Sequence, residues 1–143
     1  MRFKLFSGFA AAALTGALAV VSVPGSATAD SCWTHNGSIM RLEASGNQRW
    51  MSYERPRRVL RNAGVGTGTL LFNGRKVGNS YVGTARVFSK YCPGEPFEYR
   101  VEGPISRGQT RVTLYGEREI HNRCRPTGRY TEDVLVFDYS HDC

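Results

Sequence analysis

From Ser38 onward, apolar and polar side chains alternate one by one through most of the chain, and no other feature restricts the possible folds as strongly. Phe97, Tyr99 and Val101 alternate with Glu98, Arg100 and Glu102. Met40 and Leu42 alternate with Arg41 and Glu43, and Leu135, Phe137 and Tyr139 share one side of a later run. Successive side chains of a strand point to opposite faces, so a period of two marks sheet with one wet and one dry face. Seven strands are expected, at Ser38–Ala44, Gln48–Glu54, Thr69–Phe72, Ser80–Phe88, Phe97–Gly103, Thr110–Ile120 and Glu132–Tyr139. Turn residues separate them: Ser45-Gly46-Asn47, the Asn73–Asn79 stretch, Pro93-Gly94, Pro104–Gln109 and Pro126-Thr127-Gly128. Only Arg57–Ala63 reads differently, as one or two helical turns between Pro56 and Gly64.

An antiparallel meander of this kind must close or fold over to hide its apolar face and its edges. Gly83, Gly103 and Gly116 fall on the apolar face of three expected strands, where glycine marks a sharp bend or a close backbone approach. The expected fold is therefore all-β: a small barrel or curved sandwich of about seven strands.

The N-terminus carries a different signal. Arg2 and Lys4 precede an apolar run from Phe9 to Val23, and Ala27-Thr28-Ala29 forms a small-x-small site. This is the pattern of a Sec-type secretory leader, which assigns residues 1–29 to a signal peptide and 30–143 to one domain. The run falls short of the ~20 apolar residues of a spanning helix, and no second such run follows. Asp30 before Cys32 breaks the pattern of a lipid-modified cysteine. The leader reads as bacterial, and the expected location is periplasmic or secreted. In that setting the sequon Asn36-Gly37-Ser38 is coincidental.

All four cysteines, Cys32, Cys92, Cys124 and Cys143, follow the leader. An even number in an exported domain argues for two disulfides, with three pairings open. Meander topology favours Cys92–Cys124, because the loops that hold them lie two strands apart at one end. Cys32–Cys143 then ties the termini. With seven strands the termini fall at opposite ends, so this second bond needs Arg55–Gly68 to act as a crossover. His35, His121 and His141 each lie within three residues of a cysteine, a spacing that suits a metal. In an oxidising compartment the thiols pair with each other instead, so no metal and no cofactor is expected.

The charge is positive, +7 for the whole chain. The leader accounts for Arg2 and Lys4 only, and beyond it the basic residues are arginines apart from Lys76 and Lys90. Arginine forms two-pronged bonds with carboxylate and phosphate, which suits anionic envelope polymers or an acidic protein as partner. Export argues against nucleic acid. Arg57, Arg58 and Arg61 form the densest cluster and the candidate anion patch, with Arg57 and Arg61 sharing a face if the segment is α-helical.

Catalytic signals are absent. Gly64-x-Gly66-x-Gly68 lacks the strand before and the helix after that a phosphate loop requires. No Gly-x-Ser-x-Gly elbow occurs. Glu98, Glu102, Glu117 and Glu119 fall on a solvated face, and Trp33 and Trp50 are expected in the core.

The segments Cys32-Trp33, His35-Asn36-Gly37-Ser38, Leu70-Leu71-Phe72-Asn73-Gly74 and Tyr81-x-Gly83-Thr84-Ala85-Arg86-x-Phe88, with Cys92, carry a likeness. The chain resembles a group of small exported bacterial proteins of unknown function across most of its length after the leader. The resemblance implies a periplasmic or secreted place and brings no activity or catalytic residue with it. The leading expectation is a non-enzymatic binding or structural module of the cell envelope. The alternatives are a carrier with a small apolar ligand inside the barrel, and a secreted hydrolase.

Overall fold

The computed structural model describes residues 30–143; the expected leader, 1–29, lies outside the described residues. Eight antiparallel strands follow one another around a closed barrel. They are β1 (Ser31–His35), β2 (Ser38–Ser45), β3 (Gln48–Arg55), β4 (Leu70–Val77), β5 (Ser80–Ser89), β6 (Cys92–Pro104), β7 (Arg111–Asn122) and β8 (Arg125–Asp142). A 3-10 helix, Arg58–Ala63, interrupts the β3–β4 connection.

The strand missing from the expected seven is β1. It pairs with β2 up to His35↔Ser38 across Asn36-Gly37, whose φ angles of 44° and 77° are both positive. Asn-Gly with two left-handed residues is the turn that best matches the twist of a hairpin. The same dipeptide at Asn73-Gly74 makes no turn: β4 runs through it and turns at Gly78-Asn79. Gly74 faces Gly83 across the β4–β5 pair, and a Cβ on either would strike the other strand's backbone. Here the two glycines let the strands approach closely.

An eighth strand also settles where the termini go. An even number of antiparallel strands brings both ends of the chain to one end of the barrel, where β1 pairs with β8. No crossover is needed, and Arg55–Gly68 is only a wide connection. The structure joins Cys32 to Cys143 at this end, with Cα atoms 5.1 Å apart, and Cys92 to Cys124 at the other, 5.6 Å apart. Two disulfides fit an oxidising, extracytoplasmic compartment.

The alternating residues fill the interior. Met40, Met51, Phe72, Val101, Val112, Leu114 and Phe137 are fully buried. Each such side chain contributes about 1.5–3 kcal/mol of transfer free energy. Trp33 joins this core, whereas Trp50 lies half-buried on the outer wall. Tyr139 extends the inward row of Leu135 and Phe137, yet its ring is exposed at the rim, where the hydroxyl donates to Asp142. Leu60, Ala63 and Val65 close the barrel end opposite the termini, which makes the 3-10 helix a cap.

Candidate functional site

The capped end is where the sheet is least regular. The β7–β8 hairpin is in register from Arg111↔Asp138 to Asn122↔Arg125 with one bulge, and β5–β6 is nearly as continuous. Between β6 and β7 only Glu102↔Tyr115 pairs, with one isolated bridge, Ile105↔Val112, just past the end of β6. Gly103 and Gly116 flank the Glu102↔Tyr115 pair. A Cβ on Gly103 would strike the Thr113 carbonyl, and one on Gly116 the Arg100 carbonyl. Beyond it the two hairpins run side by side without further ladder bonds, and the Cys92–Cys124 bond joins their tips.

The space between the hairpins is a cleft of about 510 Å³, with a second cavity of about 270 Å³ adjoining it. Val87, Phe97, Arg118, Glu119 and His121 line both. Phe97 and His121 stack across the cleft, ring centroids 3.8 Å apart and nearly parallel. His121 Nδ1 donates to the Glu119 carbonyl, which fixes the ring against rotation. At the floor, the Tyr99 hydroxyl donates to Asp133 at 2.6 Å, and Arg118 Nε lies 3.5 Å from the same carboxylate oxygen. Burial, reinforced by the bond to Asp133, holds the Tyr99 hydroxyl well above the usual phenol range. Burial likewise pushes Tyr53, at the same end, up to about 12. Both hydroxyls stay neutral.

At the outer rim, Lys90 Nζ and Arg123 Cζ lie 5.2 and 5.6 Å from the centre of the Tyr91 ring. Cation–π attraction holds both charges beside the cleft mouth. Arg125 follows on β8.

The cap brings the sequence-predicted patch to the same end. Arg57, Arg58 and Arg61 are all exposed. Because the helix is 3-10, with three residues per turn, Arg58 and Arg61 share a face rather than Arg57 and Arg61. Arg57 caps the helix and lies against Gly37 of the β1–β2 turn. Gly64, the left-handed C-cap, abuts Gly94 at the start of β6, which sets the cap beside the hairpin tips. Ion pairs among the described residues involve Arg41, Arg86, Arg111 and Arg118; none involves Arg57, Arg58, Arg61, Lys90, Arg123 or Arg125.

The remaining candidates do not converge. His35 is buried, stacks on Phe137, donates from Nδ1 to the Val136 carbonyl and accepts from Asn36. Burial lowers its pKa and keeps it neutral. His121 lines the cleft, and His141 sits beside the disulfide at the opposite end. All four cysteines are bonded, and no group of three metal-ligating side chains occurs among the described residues. Glu98, Glu102 and Glu117 are exposed, while Glu119 is half-buried and accepts from the Gly128 amide.

The sequence reading did not single out Lys90, Tyr91, Phe97, Arg118, Arg123 or Asp133. Arg118 and Phe97 sit on the inward face of ordinary alternating strands. Their one local signal is a charged residue in phase with Val112 and Leu114. No protein-family model, curated protein or solved structure matches the chain, so its own geometry carries the functional reading.

Proposed function

We propose that this protein is a non-enzymatic binding module of the bacterial cell envelope, exported through a cleaved leader, whose capped end engages anionic envelope polymers. One observation carries this reading: Arg57, Arg58, Arg61, Lys90, Arg123 and Arg125 gather at one end of the barrel, outside every ion pair among the described residues. Unpaired exposed cations on a rigid frame form a field that draws in a polyanion, and arginine adds two-pronged bonds to its phosphates or carboxylates. Glu95 and Glu119 temper that field without reversing its sign. The disulfide and the capping helix fix these groups relative to one another, so little ordering entropy is lost on binding.

The two other readings gain no support. A carrier needs interior room, and here Phe72, Phe137, Met40 and Met51 occupy the barrel's centre. A hydrolase needs a nucleophile beside a free histidine in a cleft: His35 has both ring nitrogens engaged inside the wall, and the Ser140 Oγ–His141 Nδ1 contact of 2.8 Å lies exposed on the last strand beside a disulfide.

Co-sedimentation with cell-wall sacculi and with lipopolysaccharide vesicles, at low and high salt, tests the proposal. Binding at low salt, reversed by high salt, is expected because screening shortens the reach of exposed charges to about 8 Å or less. A variant with Arg57, Arg58, Arg61 and Lys90 all changed to Gln is expected to lose that binding. Failure of the unaltered protein to bind either material at low salt overturns the reading.

A further inference from the structure

We infer that the cleft between the two hairpins is a selective subsite for a single sugar unit bearing one oxyanion, with Arg118 as the group that receives the charge. The inference rests on the envelope-polymer reading and adds a recognition step to it. The exposed rim explains attraction to any polyanion and no preference among them. The cleft is built differently. Its volume of about 510 Å³ falls in the range of small-molecule sites.

Arg118 is the reason to expect an oxyanion. Its closest approach to Asp133 is through Nε, and Asp133 is itself held by the Tyr99 hydroxyl. The guanidinium is thus oriented from behind, and its terminal nitrogens are the next donors in a planar fork that fits a carboxylate or phosphate. Arg118 is only about one-third exposed, and it lines both cavities. Lys90 and Arg123 at the mouth keep the cleft net positive against Glu119 and Asp133.

The stacked Phe97–His121 pair is the reason to expect a ring. Both rings line the cleft and are half-buried, and the C–H face of a sugar packs on the aromatic surface that the pair leaves exposed while its hydroxyls turn outward. Ser89 and Asn122, which also line the larger cavity, supply groups to meet those hydroxyls. Both features lie at the end that carries the basic rim, so a polymer held there has one unit within reach of Arg118.

The test is an NMR titration of the unaltered, isotope-labelled protein with three soluble sugars. N-acetylmuramic acid carries a carboxylate, N-acetylglucosamine 1-phosphate carries a phosphate, and N-acetylglucosamine carries neither. Saturable amide shifts in Arg118–Asn122 and Phe97 are expected with at least one charged sugar, and about tenfold weaker binding with the neutral one. Whichever charged sugar binds more tightly identifies the source of the oxyanion. Arg118→Gln is expected to weaken the charged sugar about tenfold while leaving the protein folded and still bound to sacculi at low salt. Arg58→Gln with Arg61→Gln is expected to leave the sugar affinity unchanged. Equal affinity for charged and neutral sugars, no saturable shift with any of them, or an unaltered affinity in Arg118→Gln overturns the inference. If sacculus binding persists in that event, only the subsite falls and the basic end stands.

Discussion

The two ends of the barrel carry the same covalent device for opposite purposes. At the terminal end, Cys32–Cys143 reinforces a seam that hydrogen bonds already close, since β1 and β8 pair right beside it. At the capped end, Cys92–Cys124 stands where hydrogen bonds are missing, because β6 and β7 share one registered pair. The first bond strengthens the barrel as a closed object. The second holds two hairpins close enough to share a cleft without zipping it shut. A disulfide that replaces a ladder leaves room for side chains to face a ligand.

Removing each bond in turn sharpens this comparison most. On the chain-entropy account, a bond across 111 residues contributes up to about 4.8 kcal/mol and one across 32 up to about 3.7 kcal/mol. Cys32→Ser with Cys143→Ser is therefore expected to cost more in urea denaturation than Cys92→Ser with Cys124→Ser. Amide exchange should separate the two by place. Loss of Cys92–Cys124 is expected to speed exchange in Cys92–Arg100 and Glu117–Asn122 and leave β1 and β8 protected. Uniform acceleration around the barrel would erase the distinction between the ends.

A smaller effect is expected from the glycines that let β6 and β7 touch at all. Gly116→Ala forces a Cβ into the Arg100 carbonyl, and crowding of this kind costs about 1–3 kcal/mol. Gly66→Ala, in the connection after the cap, meets nothing within 4 Å and is expected to change stability by less than about 0.5 kcal/mol. Equal melting temperatures for the two variants would show that the single β6–β7 pair does not hold the seam.

The least effect concerns His35, inside the capped end. Burial lowers its pKa against the opposing influence of the Val136 carbonyl and Asp133, while Arg57 adds to the lowering. The unfolded chain therefore takes up this proton first, below its ordinary value near 6.5. The stability that neutral His35 contributes is complete above that pH and is lost as pH falls toward the lowered folded value. Melting temperature should decline on acidification across this window, and His35→Gln should flatten the decline. An unchanged slope in His35→Gln would assign the acid sensitivity to other groups.

Much of the wall was legible because a strand's period of two leaves a direct trace in the sequence. The runs around Met40, Val101, Val112 and Phe137 all lie in strands with those residues inside. β1 was missed because five residues are too few for alternation to register, although Asn36-Gly37 supplied a turn signal beside it. Asn73-Gly74 misled for the opposite reason: its glycine answers to Gly83 across the pair, a partner that no local window contains. Of the capped end, Arg57, Arg58 and Arg61 could be found by density alone. Arg118, Phe97 and His121 could not, because each is unremarkable on its own strand and gains meaning only from the others.

What the sequence by itself determined was the alternation, the number and spacing of the cysteines, and the excess of arginine. These are local or compositional properties, and each residue carries its own share of them. The tertiary structure alone decided that eight strands bring the termini together, that β6 and β7 part beyond Glu102↔Tyr115, and that a cap from one connection meets the tips of two hairpins. Those outcomes depend on closure of the sheet, a condition imposed on all strands at once by the need to bury one face and leave few edges unpaired.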